Sequence, residues 1–116
     1  MILAVLDDLM FTAKIKTAAS HVGAAVTFAR SAEAALGEMR KAAPSLVIFD
    51  LNNARINPLG IVSAMAADPA LAPIPTLGYA SHVQADVVEA ARRAGVGHVL
   101  ARSAFAQQLG EILSAV

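Results

Sequence analysis

The chemistry available to this chain is carried by aspartates. Asp50 closes the run Ser45-Leu46-Val47-Ile48-Phe49-Asp50-Leu51-Asn52-Asn53, and Asp7-Asp8 closes the run Ile2–Leu6. Both runs are short and apolar, the pattern of a strand buried on both faces. If the two strands are parallel neighbours, their terminal carboxylates gather at one rim, where open α/β sheets bind ligands. Carboxylates held together repel unless a metal cation, an arginine or a lysine shares the site. On residue types alone Asp50 reads equally well as the start of a turn. Asp7 and Asp8 compete for the place beside it, and neutralising either would stabilise the fold if their charges are unpaired.

Other polar residues offer less. There is no glycine-rich phosphate motif, no H-E-x-x-H motif and no Ser-His-Asp order. His21 falls late in the first predicted helix, where it suits the surface or the helix dipole. His82 and His98 are too far apart in sequence to mark a metal pair. Arg92-Arg93 fits a solvated helix end. Arg55, just past Asp50, either meets the acidic rim or faces water. Met10, Met39 and Met65 read as core fillers.

The elements that must position the aspartates follow in order. Ile2–Leu6 is the first strand, and Asp8 caps a helix from Leu9 to Val22 whose inner side carries Phe11, Ile15, Ala18, Ala19 and Val22. Gly23 suits its C′ position. Ala24–Ala29 is the second strand. Ser31 caps a helix running to Lys41, with Ala34, Ala35 and Met39 facing inward. The Asp50 strand follows, and Asn57-Pro58 starts a helix that ends at Asp68-Pro69. Thr76–Ala80 is the fourth strand. Ser81 with Gln84 forms a capping box for a helix ending before Gly95. Gly97–Ala101 is the fifth strand, and Ser103 caps a last helix ending near Ala115. Five strands alternating with five helices predict an α/β doubly wound parallel sheet. The fullest apolar runs, strands one and three, belong at the centre. The order is then the flavodoxin-like 2-1-3-4-5, helices cover both faces, and the aspartates end at its switch point.

Composition agrees with one domain over residues 1–116. Hydrophobic residues make up 57% of the chain and aromatics 4%, so the core is built from small and aliphatic side chains. A formal net charge of zero gives no basic field for nucleic acid or an anionic membrane. The absence of cysteine excludes disulfides and thiolate metal sites. Ile2–Leu6 lacks a basic flank and meets two aspartates at once, so it is no signal peptide. No apolar stretch is long enough to span a bilayer, and a cytoplasmic location is expected.

Laid along its whole length, the chain resembles a two-component response-regulator receiver domain of the chemotaxis-regulator kind. The landmarks are Ile2–Asp8, Leu46–Leu51, the loop Asp68–Pro75, and Ala94–Arg102. The resemblance implies a stand-alone receiver in phosphorelay signalling, not an enzyme, with Asp50 as the phospho-acceptor. It implies Mg²⁺ held by Asp7 or Asp8, by Asp50 and by the carbonyl of Asn52. The ungapped match puts Leu6 at the first acidic position, Asp7 at the second, and Asp8 as a third acid. Ala80 stands where the family has Thr or Ser, Arg102 where it has Lys, and Ser103 where it has a cis-proline. Arg102 is then expected to reach Asp50 and to compete with the metal. The implied partners are a histidine kinase or another signalling protein, or a second copy in a homodimer, with neither a DNA-binding domain nor a membrane. The implied contact face offers His82, Val83, Asp86, Val99, Ala101 and Phe105. The alternative is a phosphorylation-independent pseudo-receiver that docks or oligomerises.

Overall fold

The computed structural model describes residues 1–81 and 85–116. Five parallel strands, β1 (Ile2–Val5), β2 (Val26–Ala29), β3 (Leu46–Asp50), β4 (Thr76–Ala80) and β5 (His98–Ala101), form one sheet of order β2-β1-β3-β4-β5. Among the described residues six helices accompany them: α1 (Leu9–Val22), α2 (Ala32–Lys41), α3 (Pro58–Ala67), α4 (Ala85–Ala94), α5 (Arg102–Gln107) and α6 (Leu109–Ser114). The flavodoxin-like order expected from the apolar runs is the one found. β1 is buried throughout and β3 up to Asp50, whereas the edge strands β2 and β5 are mostly half-exposed.

Alternation along the central strands builds two cores, one on each face of the sheet. Leu3, Val5, Val47 and Phe49 point to one face and pack with Ala35 and Met39 of α2, Ile61, Val62 and Met65 of α3, and Ala91 of α4. Ile2, Ala4, Leu6, Ile48, Leu77 and Tyr79 point to the other, against Phe11, Ile15 and Ala19 of α1, Phe105 of α5, and Leu109 and Leu113 of α6. Asp50 has the parity of Ile48, so it leaves the sheet on the α1–α5 side.

Local chemistry explains most of the boundaries. Asp8 caps α1 by accepting the Phe11 N–H at 3.1 Å, and Gly23 ends the helix with φ of 69°, a conformation glycine adopts without a Cβ penalty. Ser31 caps α2 through the Ala34 N–H at 3.1 Å. Asn57, itself at φ 55°, caps α3 through the Gly60 N–H at 3.3 Å, with Pro58 opening the helix. The strands start up to two residues later than the apolar runs, because Ala24, Ala25 and Gly97 lie before the regular ladder.

Several expectations are corrected. Met10 is 84% exposed and its neighbour Leu9 69%, because the buried stripe of α1 begins at Phe11 and both residues precede it. Val22, in the last turn, is also exposed. Ala34 faces water; Ala35 and Met39, four residues apart, are the buried residues of α2, flanked by the partly buried Ala32 and Leu36. The last helix is neither single nor capped by Ser103. It starts at Arg102 directly after β5, Ala101 being an N-cap without a side-chain bond, and is interrupted at Gln108. With serine in place of proline nothing holds the chain away from a helix there, and no cis peptide bond is found among the described residues. The capping box of Ser81 with Gln84 lies outside the described residues.

Candidate functional site

The carboxyl ends of β1 and β3 meet as the sequence predicts, since the register closes with Val5 paired to Phe49, and Leu6 and Asp50 are the residues that follow. Leu6 is 1% exposed and packs into the α1-side core, so the first of the three positions after the apolar run is a wall of the site. Asp7 and Asp8 follow it at the rim, each half-buried. Asp50 is half-buried on the neighbouring strand, and its Oδ1 accepts the Asn52 N–H at 3.1 Å.

Each of the two rim carboxylates of β1 is held by an arginine. Asp7 Oδ2 meets Arg55 Nη2 at 2.6 Å, and Asp7 Oδ1 accepts from Asn53 Nδ2 at 2.6 Å. Asp8 Oδ2 meets Arg102 Nη2 at 2.9 Å, while its Oδ1 serves the cap of α1. The two aspartates therefore divide the labour: Asp7 ties β1 to the loop after β3, and Asp8 ties α1 to the start of α5. Of the two readings of Arg55, the acidic rim holds, although its side chain is 83% exposed. The pair expected between Arg102 and Asp50 is not formed. Asp8 lies nearer the path of Arg102, and the guanidinium lies over the Phe11 ring with Cζ 4.6 Å from its centroid, a stacking that a planar cation favours.

Electrostatics follow from this arrangement. Asp50 is pushed above the ordinary aspartate value, first because burial penalises its charge and further because Asp8 and Asp7 stand near; the Asn52 N–H and Arg102 oppose this. Asp8 is held below that value, first by the Phe11 N–H and then by Arg102, against its own desolvation. Three carboxylates face two guanidiniums, so the rim is nearly balanced without any further ion.

Beneath the rim lies an aromatic cluster. The rings of Tyr79 and Phe105 stack at 4.8 Å, and Phe11 stands 5.0 Å from Tyr79 and 5.8 Å from Phe105. Tyr79, partner of Asp50 in the β3–β4 register, is 2% exposed, and among the described residues its hydroxyl has no hydrogen-bond partner. Burial first, and Asp50 second, push its phenol far above the ordinary value. Phe105 is consequently an interior residue and not part of the expected contact face. On that face Asp86 is exposed, Val99 and Ala101 are half-buried, and His82 and Val83 lie outside the described residues.

Ala80 is buried at the end of β4, opposite Ala101, and offers no hydroxyl. The hydroxyl is instead one residue further on. Asn52 Oδ1 accepts the Ser81 N–H at 2.6 Å and the Ser81 hydroxyl at 3.1 Å. Leu51 fills the space above Gly78, where an added Cβ would come within 2.7 Å of its side chain. Asn53, Ser81 and Tyr79 were not singled out as site residues by sequence. The two amides after Asp50 were the available signal for Asn53, and Tyr79, the single tyrosine of the chain, gave none.

The expected metal donors Asp7, Asp8, Asp50 and Asn52 surround one rim, but as arranged they do not suit a divalent cation. Both oxygens of Asp7 and both of Asp8 are engaged, and a hard cation wants such oxygens for itself. An arginine would first have to withdraw. Among the described residues no group of three or more His, Cys, Asp or Glu is placed to hold a metal ion, and no helix is long and apolar enough to cross a membrane.

No protein-family model and no curated protein matches the chain. Solved structures do. A response regulator from Hahella chejuensis is 22% identical with a TM-score of 0.88, over 97% of this chain and 91% of that one. The chemotaxis response regulator CheY4 of Vibrio cholerae is 19% identical with a TM-score of 0.84, over 98% and 95%. The Mn²⁺-bound form of response regulator Rcp1 is 19% identical with a TM-score of 0.80, over 98% and 88%. Identities this low speak for architecture alone, and the architecture is the flavodoxin-like fold of response-regulator receivers.

Proposed function

We propose that this chain is a receiver-type signalling module that acts through protein–protein contact and balances its acidic rim with Arg55 and Arg102 instead of a divalent cation. The observation that carries this reading is the pair of ion pairs, Asp7–Arg55 at 2.6 Å and Asp8–Arg102 at 2.9 Å. Ala80 supports it, because no hydroxyl at that position can follow a group added to Asp50. The module is not an enzyme in this reading. Its partner is a histidine kinase, another signalling protein or a second copy of the chain, met through exposed residues such as Asp86 and not through DNA or a membrane.

Titration with Mg²⁺ and then beryllofluoride, followed by amide NMR shifts around Asp50, tests the proposal. The expected result is no saturable change below millimolar Mg²⁺, and no added mass after incubation with acetyl phosphate and Mg²⁺. Saturation at micromolar Mg²⁺ would overturn it.

The second reading keeps Asp50 as phospho-acceptor and Mg²⁺ at Asp7, Asp8, Asp50 and the Asn52 carbonyl. It is favoured by the rigid, half-buried placement of Asp50 at the end of β3, and by the Mn²⁺-bound state of one structural neighbour. In it a carboxylate oxygen of Asp50 would take the phosphoryl group and release acetate. A mass gain that disappears in Asp50→Asn would establish this reading in place of the first.

A further inference from the structure

The strand β2 closes one side of the sheet, and among the described residues β1 is its one neighbour there. Ala25 and Ala29 turn their carbonyls to β1 and accept the Ile2 and Leu6 N–H groups at 3.0 and 3.1 Å. Backbone groups alternate along a strand, so Thr27 also faces β1, while Val26 and Phe28 hold N–H and C=O away from the sheet. Such a row of open donors and acceptors is a template for another strand, and lone edges are usually blunted by charge, proline or a bulge. From Ala25 to Ala29 there is neither charge nor proline, and the register with β1 runs without a bulge. Val26, Thr27 and Phe28 are all half-exposed. The helix above them, α2, lies over β1 and β2, and Arg40, 3.9 Å from Asp68, marks the flank that faces α3. The opposite flank, toward the open edge, carries Ser31, Ala34, Gly37, Glu38 and Lys41 and forms a shallow hollow. A Cβ at Gly37 would meet nothing within 4 Å.

We propose that this edge docks a second copy of the chain, β2 against β2 in antiparallel register about a two-fold axis at Thr27. Parity selects that centre. Val26 of one copy stands opposite Phe28 of the other, and because both turn their backbone groups outward they exchange hydrogen bonds in both directions; the symmetric pair does the same. The side chains agree. Val26 with Phe28 is a β-branched and aromatic pair on the α1 side, Thr27 meets its own mate on the α2 side, and both pairings stabilise antiparallel strands. An unrelated strand would find the same donors and acceptors, but the helices favour a copy. The axis lies half a strand spacing beyond β2, so the two α2 helices run antiparallel about 10 Å apart, a distance at which helices pack. The small residues Ser31, Ala34 and Gly37 permit that approach. Antiparallel, the acidic first turn with Glu33 is set against the basic last turn of the other copy, with Arg40 and Lys41. Lys16 opposes the pairing, because its Nζ lies 5.5 Å from the centre of the Phe28 ring and each copy brings one such charge to the joint. The inference rests on the reading above only in taking a second copy as the partner.

Sedimentation of the intact chain from about 10 µM to about 1 mM, with no metal, phosphodonor or kinase present, is expected to pass from one chain to two. Over that range amide exchange at Val26 and Phe28 should slow several-fold, while Thr27, which faces β1, is unchanged. Thr27→Lys and Thr27→Asp should each stay monomeric, since like charges would stand directly opposite, and an equal mixture of the two should pair. Thr27→Cys, in a chain otherwise without cysteine, should give a disulfide-linked dimer on mild oxidation, and Val99→Cys on the other edge of the sheet should not. A single chain at about 1 mM, a dimer that survives Thr27→Lys, or linkage through Val99→Cys in place of Thr27→Cys would overturn the proposal. Should the charged variants not fold, Thr27→Cys and exchange in the native protein decide alone. The proposed function stands or falls on Mg²⁺ and acetyl phosphate and this interface on Thr27, so the failure of one is told apart from the failure of the other.

Discussion

The guanidinium of Arg102 is held between the carboxylate of Asp8, at 2.9 Å, and the ring of Phe11, 4.6 Å from the centroid. Both partners belong to the start of α1, so one side chain from the far end of the chain fastens the first helix to the last two. Arg102→Ala is expected to cost roughly 1 kcal/mol, the joint worth of a part-exposed ion pair and a cation–π contact, and to lower the melting temperature by about 4–6 °C. Arg102→Lys should recover less than half of this, because an ammonium cannot stack as a planar fork. Thermal unfolding followed by circular dichroism decides; a native melting temperature in Arg102→Ala would mean that the contact is not made in solution.

Asp7→Asn and Asp8→Asn are expected to lower stability. Taken as unpaired charges they would do the opposite, but each carboxylate already holds an arginine, and removing one partner leaves the other without its counter-charge. Asp8→Asn should cost less than Asp7→Asn does in pairing alone, since asparagine still caps a helix well. A rise in melting temperature for both would show that repulsion outweighs the pairs.

Acid should act on Asp8 and Asp50 with opposite signs. The Asp8 value is lowered on folding, so its contribution is present above the ordinary value of 3.8 and is lost as pH falls through its folded value. The Asp50 value is raised, so its charge costs stability near neutrality; that cost shrinks as pH falls below the raised value and is gone below the ordinary 3.8, where the loss of the Asp8 contribution begins. Asp50→Asn should therefore be more stable than the native protein at pH 7 and equal to it once Asp50 is protonated in the unfolded chain as well, below the ordinary 3.8. Chemical denaturation at several pH values reads this, and a gap that widens on acidification would contradict it.

Tyr79→Phe is expected to leave stability unchanged or to raise it by up to about 1 kcal/mol, because it removes a buried hydroxyl that has no partner among the described residues and keeps the ring stack with Phe105. A loss beyond about 1 kcal/mol in urea denaturation would reveal a bond to this hydroxyl.

Leu6→Asp, which would rebuild an acidic residue at the first position after the apolar run of β1, is expected to destabilise by about 3 kcal/mol or more. Leu6 is enclosed by the α1-side core, and a carboxylate there is desolvated without a partner. Adding Mg²⁺ in millimolar amounts should restore part of the loss if the new group reaches the rim; equal melting temperatures for the native and Leu6→Asp proteins would show that position 6 is not enclosed.

The sheet was legible because its signal is repeated: apolar runs ending in Asp7-Asp8 and Asp50, punctuated by Asp8, Ser31, Asn57, Gly23 and Gly95, fix order and direction independently of any one residue. The geometry of the rim was less legible. Spacing could bring Asp7, Asp8 and Asp50 to one place, but it could not say that Arg55 turns back over a four-residue span to meet Asp7 while Arg102 stops at Asp8. Those choices are made by long side chains among near neighbours, where differences of one or two ångströms decide. Met10 and Phe105 failed for a related reason: the apolar character of each was evident, whereas the side of the helix it occupies depended on where the buried stripe of α1 begins and on the ring of Tyr79.

Gly78 and Leu51 occupy one volume between them. A Cβ at position 78 would lie 2.7–2.9 Å from three atoms of Leu51, so the space beside β4 here is filled by the residue that follows β3 and not by one from β4. The two positions are consequently not free to vary one at a time. A larger residue at 78 requires Leu51 to shift or to be replaced by a smaller side chain. Gly78→Val alone should be crippling and Gly78→Val with Leu51→Ala tolerated, which makes this pair a place where the history of the acidic rim would be written as correlated change.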